Sequence, residues 1–364
     1  MKPWLLGLAA AFALAAPAGA QPVPGHVFTG DMSSRIDRIA QAEVSGGRTP
    51  GIAIGVVEDG RLVYARGFGY ANVARHTRVD PSTQFSLGAV SAQFTTAAVL
   101  LLVQDAKLKL DDRVTKYVPE LSIAANVTVA ELLQQTSGLP DYTKAPGIDP
   151  DQTHQAKIND LIAAANKMQL VTTPGTTYAP NDFNFIVAGL IVERVSSVTL
   201  SDFLQQRIFL PLVMNQTLYA GDTGLAASHA VGYTRTAAGK FSPARTTDPS
   251  WLLGARGVVS NVYDLAKWDI EMPILLRVDA VRTMYTPGGI AGPAQYGMGW
   301  VIDRRSGKRF MWYNGEIPGY RALNAVLPDD HIAIVVLTNT DSHGGAVSVP
   351  VQVAARVLDV VAPP

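Results

Sequence analysis

The segments of this chain most inclined to form β-strands lie at its two ends, and the helix-forming ones lie between them. Near the start, Gly51 to Val57 and Leu62 to Ala65 are apolar β-rich runs. Between these runs stands Asp59-Gly60, a strong two-residue hairpin signal. Near the end, Tyr296 to Ile302, Arg309 to Tyr313, Arg321 to Leu327 and His331 to Leu337 read as strands, with Pro328-Asp329-Asp330 turning between the last two. The middle is mostly helical with long loops. Its clearest patterns run from Phe94, through Ile158 to Ala165 and Phe185 to Val195, to Leu200 to Ile208; Ala346 to Val361 reads as a closing helix. No internal repeat or low-complexity linker interrupts the order. The arrangement predicts an α+β fold: an antiparallel sheet flanked by helices, with an inserted helical layer. The sheet domain is expected from residues 30–85 and 285–364, the helical layer from 86–284, and a cleft between them.

Apolar residues make up 48% of the chain and charged ones 16%, so a large core can be buried. Thirty basic side chains balance thirty acidic ones, and no lysine-arginine run concentrates positive charge. Nucleic acid is therefore not an expected partner, because phosphate binding needs such a face. The six histidines (His26, His76, His154, His229, His331 and His343) are scattered without metal-ligand spacing, and there is no cysteine. No metal or other cofactor is expected. Residues 1–20, MKPWLLGLAAAFALAAPAGA, carry one basic residue, an apolar run from Trp4 to Ala16 and a small-residue site at Ala18-Gly19-Ala20. The run falls short of the roughly twenty apolar residues of a membrane span. It reads as a signal peptide, and the mature protein as exported, periplasmic and without a membrane span.

The stretch FSLGAVSAQFTTA, Phe85 to Ala97, begins the first of the buried helices, with Phe94, Ala97, Ala98, Leu101 and Leu102 recurring at helical spacing. Around it stand longer phrases: PGIAIGVVEDGRLVYARGFGYANV, VTVAELLQQTSGLPDY, PGTTYAPNDFNFIVAGLIVERVS, IFLPLVMNQT, GARGVVSNVYDLAKW, YGMGW and IPGYRALNAVLPDDHIAIVVLTN. On these phrases the chain resembles the class C serine β-lactamases and the DD-peptidases and esterases (penicillin-binding-protein-like) that share their fold. The resemblance extends from about Asp31 to Val361. It implies three catalytic motifs around one cleft. They are Ser-x-x-Lys at the start of the central helix, Tyr-x-Asn or Ser-x-Asn on a loop of the helical layer, and Lys- or His-x-Gly on an edge strand.

All three are altered. Phe85, Gly88 and Gln93-Phe94-Thr95 set the first register, which puts Ala89 at the serine position and Ala92 at the lysine position. Pro174-Gly175 and Gly189 set the second, with Pro180 in place of the tyrosine and Asp182 in place of the asparagine. Pro318-Gly319-Tyr320 sets the third, leaving Tyr313 for the basic residue, Asn314 in the middle and Gly315 retained. Gln135 stands where these proteins often carry histidine. His343-Gly344-Gly345 and Tyr70-Ala71-Asn72 imitate two of the motifs out of context.

Loss of the nucleophile costs a serine hydrolase on the order of a millionfold in turnover, and loss of its base adds little more. The expectation is a pseudoenzyme on a serine-hydrolase scaffold, acting as a binding or regulatory protein. In the family the amides at the nucleophile position and after the third motif form the oxyanion hole, which maps here to Ala89 and Glu316. Asp182, Tyr313, Asn314, Gly315 and Glu316 are candidate binding residues. Two cations are lost and a carboxylate gained, and a like charge at about 4 Å costs roughly 4 kcal/mol at intermediate dielectric. A neutral or cationic small molecule or peptide, or a periplasmic protein, is the expected partner. Asp182 has a competing reading as a helix N-cap. The alternative function is a hydrolase (esterase, peptidase or β-lactamase type) with rebuilt chemistry, drawing on Ser91, Asp182, Tyr313 and Ser86. If Pro180 and Tyr313 matter as much as the helix, Ala89→Ser combined with Ala92→Lys restores little turnover of an activated ester. Recovery to the level of an ordinary serine hydrolase, by steady-state kinetics, would contradict that.

Overall fold

The computed structural model describes residues 28–149, 151–220, 229–291, 294–342 and 347–363. The signal-peptide reading of residues 1–20, together with His26, His343 to Gly345 and Ala346, lies outside the described residues. A nine-stranded antiparallel sheet forms the centre. Its spatial order is Thr77–Arg78, Arg61–Asn72, Gly51–Glu58, Ile332–Thr338, Tyr320–Leu327, Lys308–Ile317, Val301–Arg305, Ala294–Tyr296 and Gly289–Ala291. The two ends of the chain meet where Gly51–Glu58 pairs with Ile332–Thr338, from Ile52 opposite Thr338 to Glu58 opposite Ile332. Asp59 and Gly60, at φ 49° and 71°, take the left-handed conformations that a tight hairpin turn requires.

Alternation along Gly51–Glu58 explains why the whole strand is buried. Ile52, Ile54 and Val56 face a core shared with the helices Gly30–Ser45 and Val349–Val361. Ala53 and Val57 face the other side, where the helical layer packs. The centre of that layer is the helix Ala92–Gln104, preceded by a 3₁₀ turn at Gly88–Ser91. Every residue from Ala92 to Leu102 is buried, as expected of a helix that is apolar on nearly all sides. Among the described residues no single helix is long and apolar enough to cross a membrane.

Some elements differ from the sequence reading. The run Tyr296 to Ile302 is two strands, because Gly297 to Trp300 make a turn closed by Gly297 N–H donating to Trp300 C=O at 2.9 Å. Gly299, at φ 75°, makes the reversal possible within an otherwise strand-like run. The helix expected from Phe185 begins at Asp182 and ends at Ser196. The helix from Leu200 loosens into a π-turn over Gln205–Phe209. Sequence periodicity also did not single out the helices Gly30–Ser45, Val262–Leu275 and Val278–Met284.

The start of the central helix is pressed against the strand Lys308–Ile317. A Cβ on Gly315 would stand 1.9 Å from Leu87 O and 2.8 Å from Ala89 N. A Cβ on Gly88, which has φ 55°, would stand 2.6 Å from Glu316 N. Two glycines therefore set the closest approach of the two elements that carry the first and third motifs. Gly315→Ala is expected to lower stability by about 1–3 kcal/mol, the usual cost of forcing extra volume between packed groups. Denaturant unfolding measures it, and an unchanged midpoint would show that helix and strand separate freely.

Candidate functional site

At the helix start, Ala89 is partly exposed and Ala92 is buried, and the two positions expected for nucleophile and lysine carry only methyl groups. The nearby serines do not replace them. Ser91 is fully buried, and its Oγ accepts the Val258 N–H at 3.0 Å, which ties it to the neighbouring strand. Ser86 lies in a two-residue strand paired with Val259.

Along the strand Lys308–Ile317, residues alternate between the two faces. Phe310 and Trp312 pack toward the terminal helices, whereas Met311 and Tyr313 pack toward the helical layer. The same alternation puts Asn314 and Glu316 on the terminal-helix side, both exposed. The Glu316 carboxylate pairs with Arg321 at 2.7 Å. Of the third-motif candidates, Tyr313 turns its side chain toward the cleft and Gly315 offers backbone. Tyr313 sits in a train of rings, 5.7 Å from Tyr296, which is itself 5.1 Å from Tyr178. Burial among these groups pushes the Tyr313 phenol up from its usual range.

The second motif is rebuilt around an amide cluster. Gln135, at φ 57°, extends Oε1 to the Asn181 N–H at 3.1 Å and to the Asn184 side-chain amide. Asn181 in turn donates from Nδ2 to Leu139 C=O at 2.9 Å and accepts the Asn184 N–H at 3.3 Å. The N-cap of Asp182–Ser196 is thus Asn181, one residue before the position considered for it in the sequence. Asp182 is the first helical residue, and its carboxylate forms an ion pair with Arg256. Burial pushes the Asp182 carboxyl up, the guanidinium opposes that shift, and the nearby Asp141 carboxylate reinforces it.

These groups surround a cavity of about 460 Å³, a size suited to a small ligand. Its walls are Gln135, Asp141, Thr143, Gln152, Pro180, Asn181, Asp182, Arg256 and Tyr313. It therefore joins the second- and third-motif positions Pro180, Asp182 and Tyr313, while Ala89, Ala92, Asn314, Gly315 and Glu316 are not among its walls. Sequence reasoning missed Asp141, Thr143, Gln152, Asn181 and, most consequentially, Arg256. It stands in GARGVV, one of the phrases that carry the family resemblance, and an isolated cation there was the available signal. Among the described residues no group of His, Cys, Asp and Glu could hold a metal ion.

The sheet, the central helix and the cleft beside them define the class: the β-lactamase-fold scaffold of serine hydrolases. Residues 36–357 match the Beta-lactamase family, and the chain belongs to it. Protein flp of Staphylococcus aureus (strain N315) is 24% identical over 331 residues, 87% of this chain and 65% of that protein. The Unguisins hydrolase ungD' of Aspergillus campestris is 28% identical over 318 residues, 80% of this chain and 58% of that one. The chain thus spans less than two thirds of the length of these curated relatives. Among solved structures, the octameric penicillin-binding protein homologue of Pyrococcus abyssi superposes with a TM-score of 0.78 at 27% identity, covering 90% of this chain and 77% of that one. The D-amino acid amidase of Ochrobactrum anthropi SV3 superposes with a TM-score of 0.81 at 22% identity, covering 91% and 98%, a likeness of fold.

The Asp182–Arg256 pair gives a pH-dependent test. Asp182 has a raised pKa in the folded chain, so folding favours its protonated form. Its contribution is complete below about pH 4, the unfolded value, and is lost as pH rises through the folded one. Arg256→Met leaves burial unopposed. The variant should lose more stability at pH 8 than at pH 5, by on the order of 1 kcal/mol after allowance for partial exposure. Denaturant unfolding at both pH values checks this, and equal losses would exclude the coupling.

Proposed function

We propose that this protein is an exported, periplasmic, non-catalytic member of the β-lactamase family that holds a ligand in the cleft beside Tyr313 and Asp182. The observation that carries this reading is the methyl group at Ala89, partly exposed at the helix start, with the neighbouring Ser91 hydroxyl engaged at Val258 N–H. A covalent acyl-enzyme needs a nucleophile at that point, and an alanine has nothing to acylate. Rebuilt chemistry has weaker support. The Asp182 carboxylate is held by Arg256, and the Ser91 hydroxyl is taken up by the Val258 N–H.

The cavity walls favour a neutral or cationic small molecule or peptide. Asp182 is paired with Arg256, and Asp141 with Lys144 at 3.8 Å, so the walls offer no unpaired cation to an anionic ligand. The amides of Gln135, Asn181 and Gln152 supply hydrogen-bonding groups for a peptide-like ligand. Outside this cavity the backbones near Ala89 and Glu316 lie close together, which supports the reading that their amides, on the family's pattern, hold a carbonyl without cleaving its substrate. The test is intact-mass analysis after incubation with a labelled penicillin and an activated ester, alongside turnover on an ester and amide panel. The expected outcome is an unmodified mass and no turnover. An acyl adduct on any residue would overturn the proposal.

A further inference from the structure

A second hollow, of about 490 Å³, opens on the same face of the sheet as Tyr313 but shares no wall with the cleft. It lies between the helices Val262–Leu275 and Val278–Met284 and the strands Val301–Arg305 and Lys308–Ile317. Met311, Ile302, Tyr285 and Val281 form its apolar lining, and Pro273 and Val278 stand at its exposed edge. The apolar surface continues outside, where Ile274 is 77% and Val278 74% exposed. An open apolar concavity of this size loses water favourably when a hydrocarbon group enters it.

The charged side chains among its walls have one sign. Arg282 and Arg309 are both among its walls, and no acidic side chain is. Arg309 is neutralised by Asp329, which its Nε and Nη2 reach at 2.9 and 2.6 Å. Arg282 forms no ion pair among the described residues. Asp279, three residues before it, is engaged by Arg277 through Nε at 3.2 Å and Nη2 at 3.0 Å. One free guanidinium therefore stands beside an apolar hollow. That pairing matches an amphiphile with a single carboxylate, because the hydrocarbon is withdrawn from water while the anion gains a charge-assisted contact.

We propose that this hollow is a ligand site for an acyl or aryl carboxylate, with the hydrocarbon on Met311, Ile302, Tyr285 and Val281 and the carboxylate on Arg282. The site is independent of the cleft and of whether Ala89 abolishes catalysis. Calorimetric titration of the full chain with dodecanoate, below its aggregation concentration, should give saturable binding of one molecule per chain. Dodecan-1-ol, and dodecanoate on Arg282→Gln, should each bind about tenfold more weakly, the usual effect of losing one charge-assisted contact. Val278→Asp, at a position exposed enough to tolerate it, brings a like charge to the edge of the hollow and should weaken dodecanoate similarly. Absence of saturable binding, or equal affinity for acid and alcohol, would overturn the proposal. So would an affinity unchanged by both substitutions, which would place the binding elsewhere.

Discussion

The pairing of Gly51–Glu58 with Ile332–Thr338 is the interaction on which the rest of the molecule depends. It joins segments nearly three hundred residues apart and makes one sheet from the two ends of the chain. Closing so long a loop costs entropy that grows only slowly with length, whereas an unpaired hairpin is marginal alone. Once the pair forms, Ile52, Ile54 and Val56 bury one face against the terminal helices, and Ala53 helps bury the other against the helical layer. The C-terminal strands then extend outward in order, and Lys308–Ile317 comes to lie against the start of the central helix. That contact is kept close by Gly88 and Gly315, while the cleft opens further along the strand, beside Tyr313.

The proposed loss of chemistry is compatible with this architecture. Alanine is the best helix former, so methyl groups at Ala89 and Ala92 fit the start of a buried helix. The second motif has become a cluster of amides, with Gln135, Asn181 and Asn184 holding one another and fixing the entry to Asp182–Ser196. Asp182, placed where a neutral asparagine belongs in the family, would be costly to bury alone; Arg256 offsets part of that cost. The result is a cleft with charged and amide-bearing walls, and no hydroxyl at the nucleophile position.

Much of this was legible in order and pattern. Asp59-Gly60 between two apolar runs specified a hairpin, and the turn has the left-handed angles that those residues permit. The ordered family phrases located Ala89, Ala92, Pro180, Asp182 and Tyr313 within the chain, and the fold is the one they implied. Local pattern failed where neighbours in space decided. YGMGW reads as part of a strand, yet its glycines fold back so that Tyr296 pairs with Val301. Asp182 and Asn181 are both good helix caps; only the contacts to Leu139 and Gln135 explain why Asn181 takes the role.

The sequence by itself determined that sheet-forming ends enclose a helical middle, and it put Ala89, Ala92 and Pro180 where the family resemblance leads one to expect serine, lysine and tyrosine. Both are properties of residue type and order, which need no coordinates. The tertiary structure alone decided what stands in their place. Arg256 meets Asp182 across more than seventy residues of chain, and alternation along one strand turns Tyr313 toward the cleft while Asn314 and Glu316 face away. Those outcomes depend on which distant groups share a buried space, because burial sets the cost of each charge and packing selects the partner that offsets it.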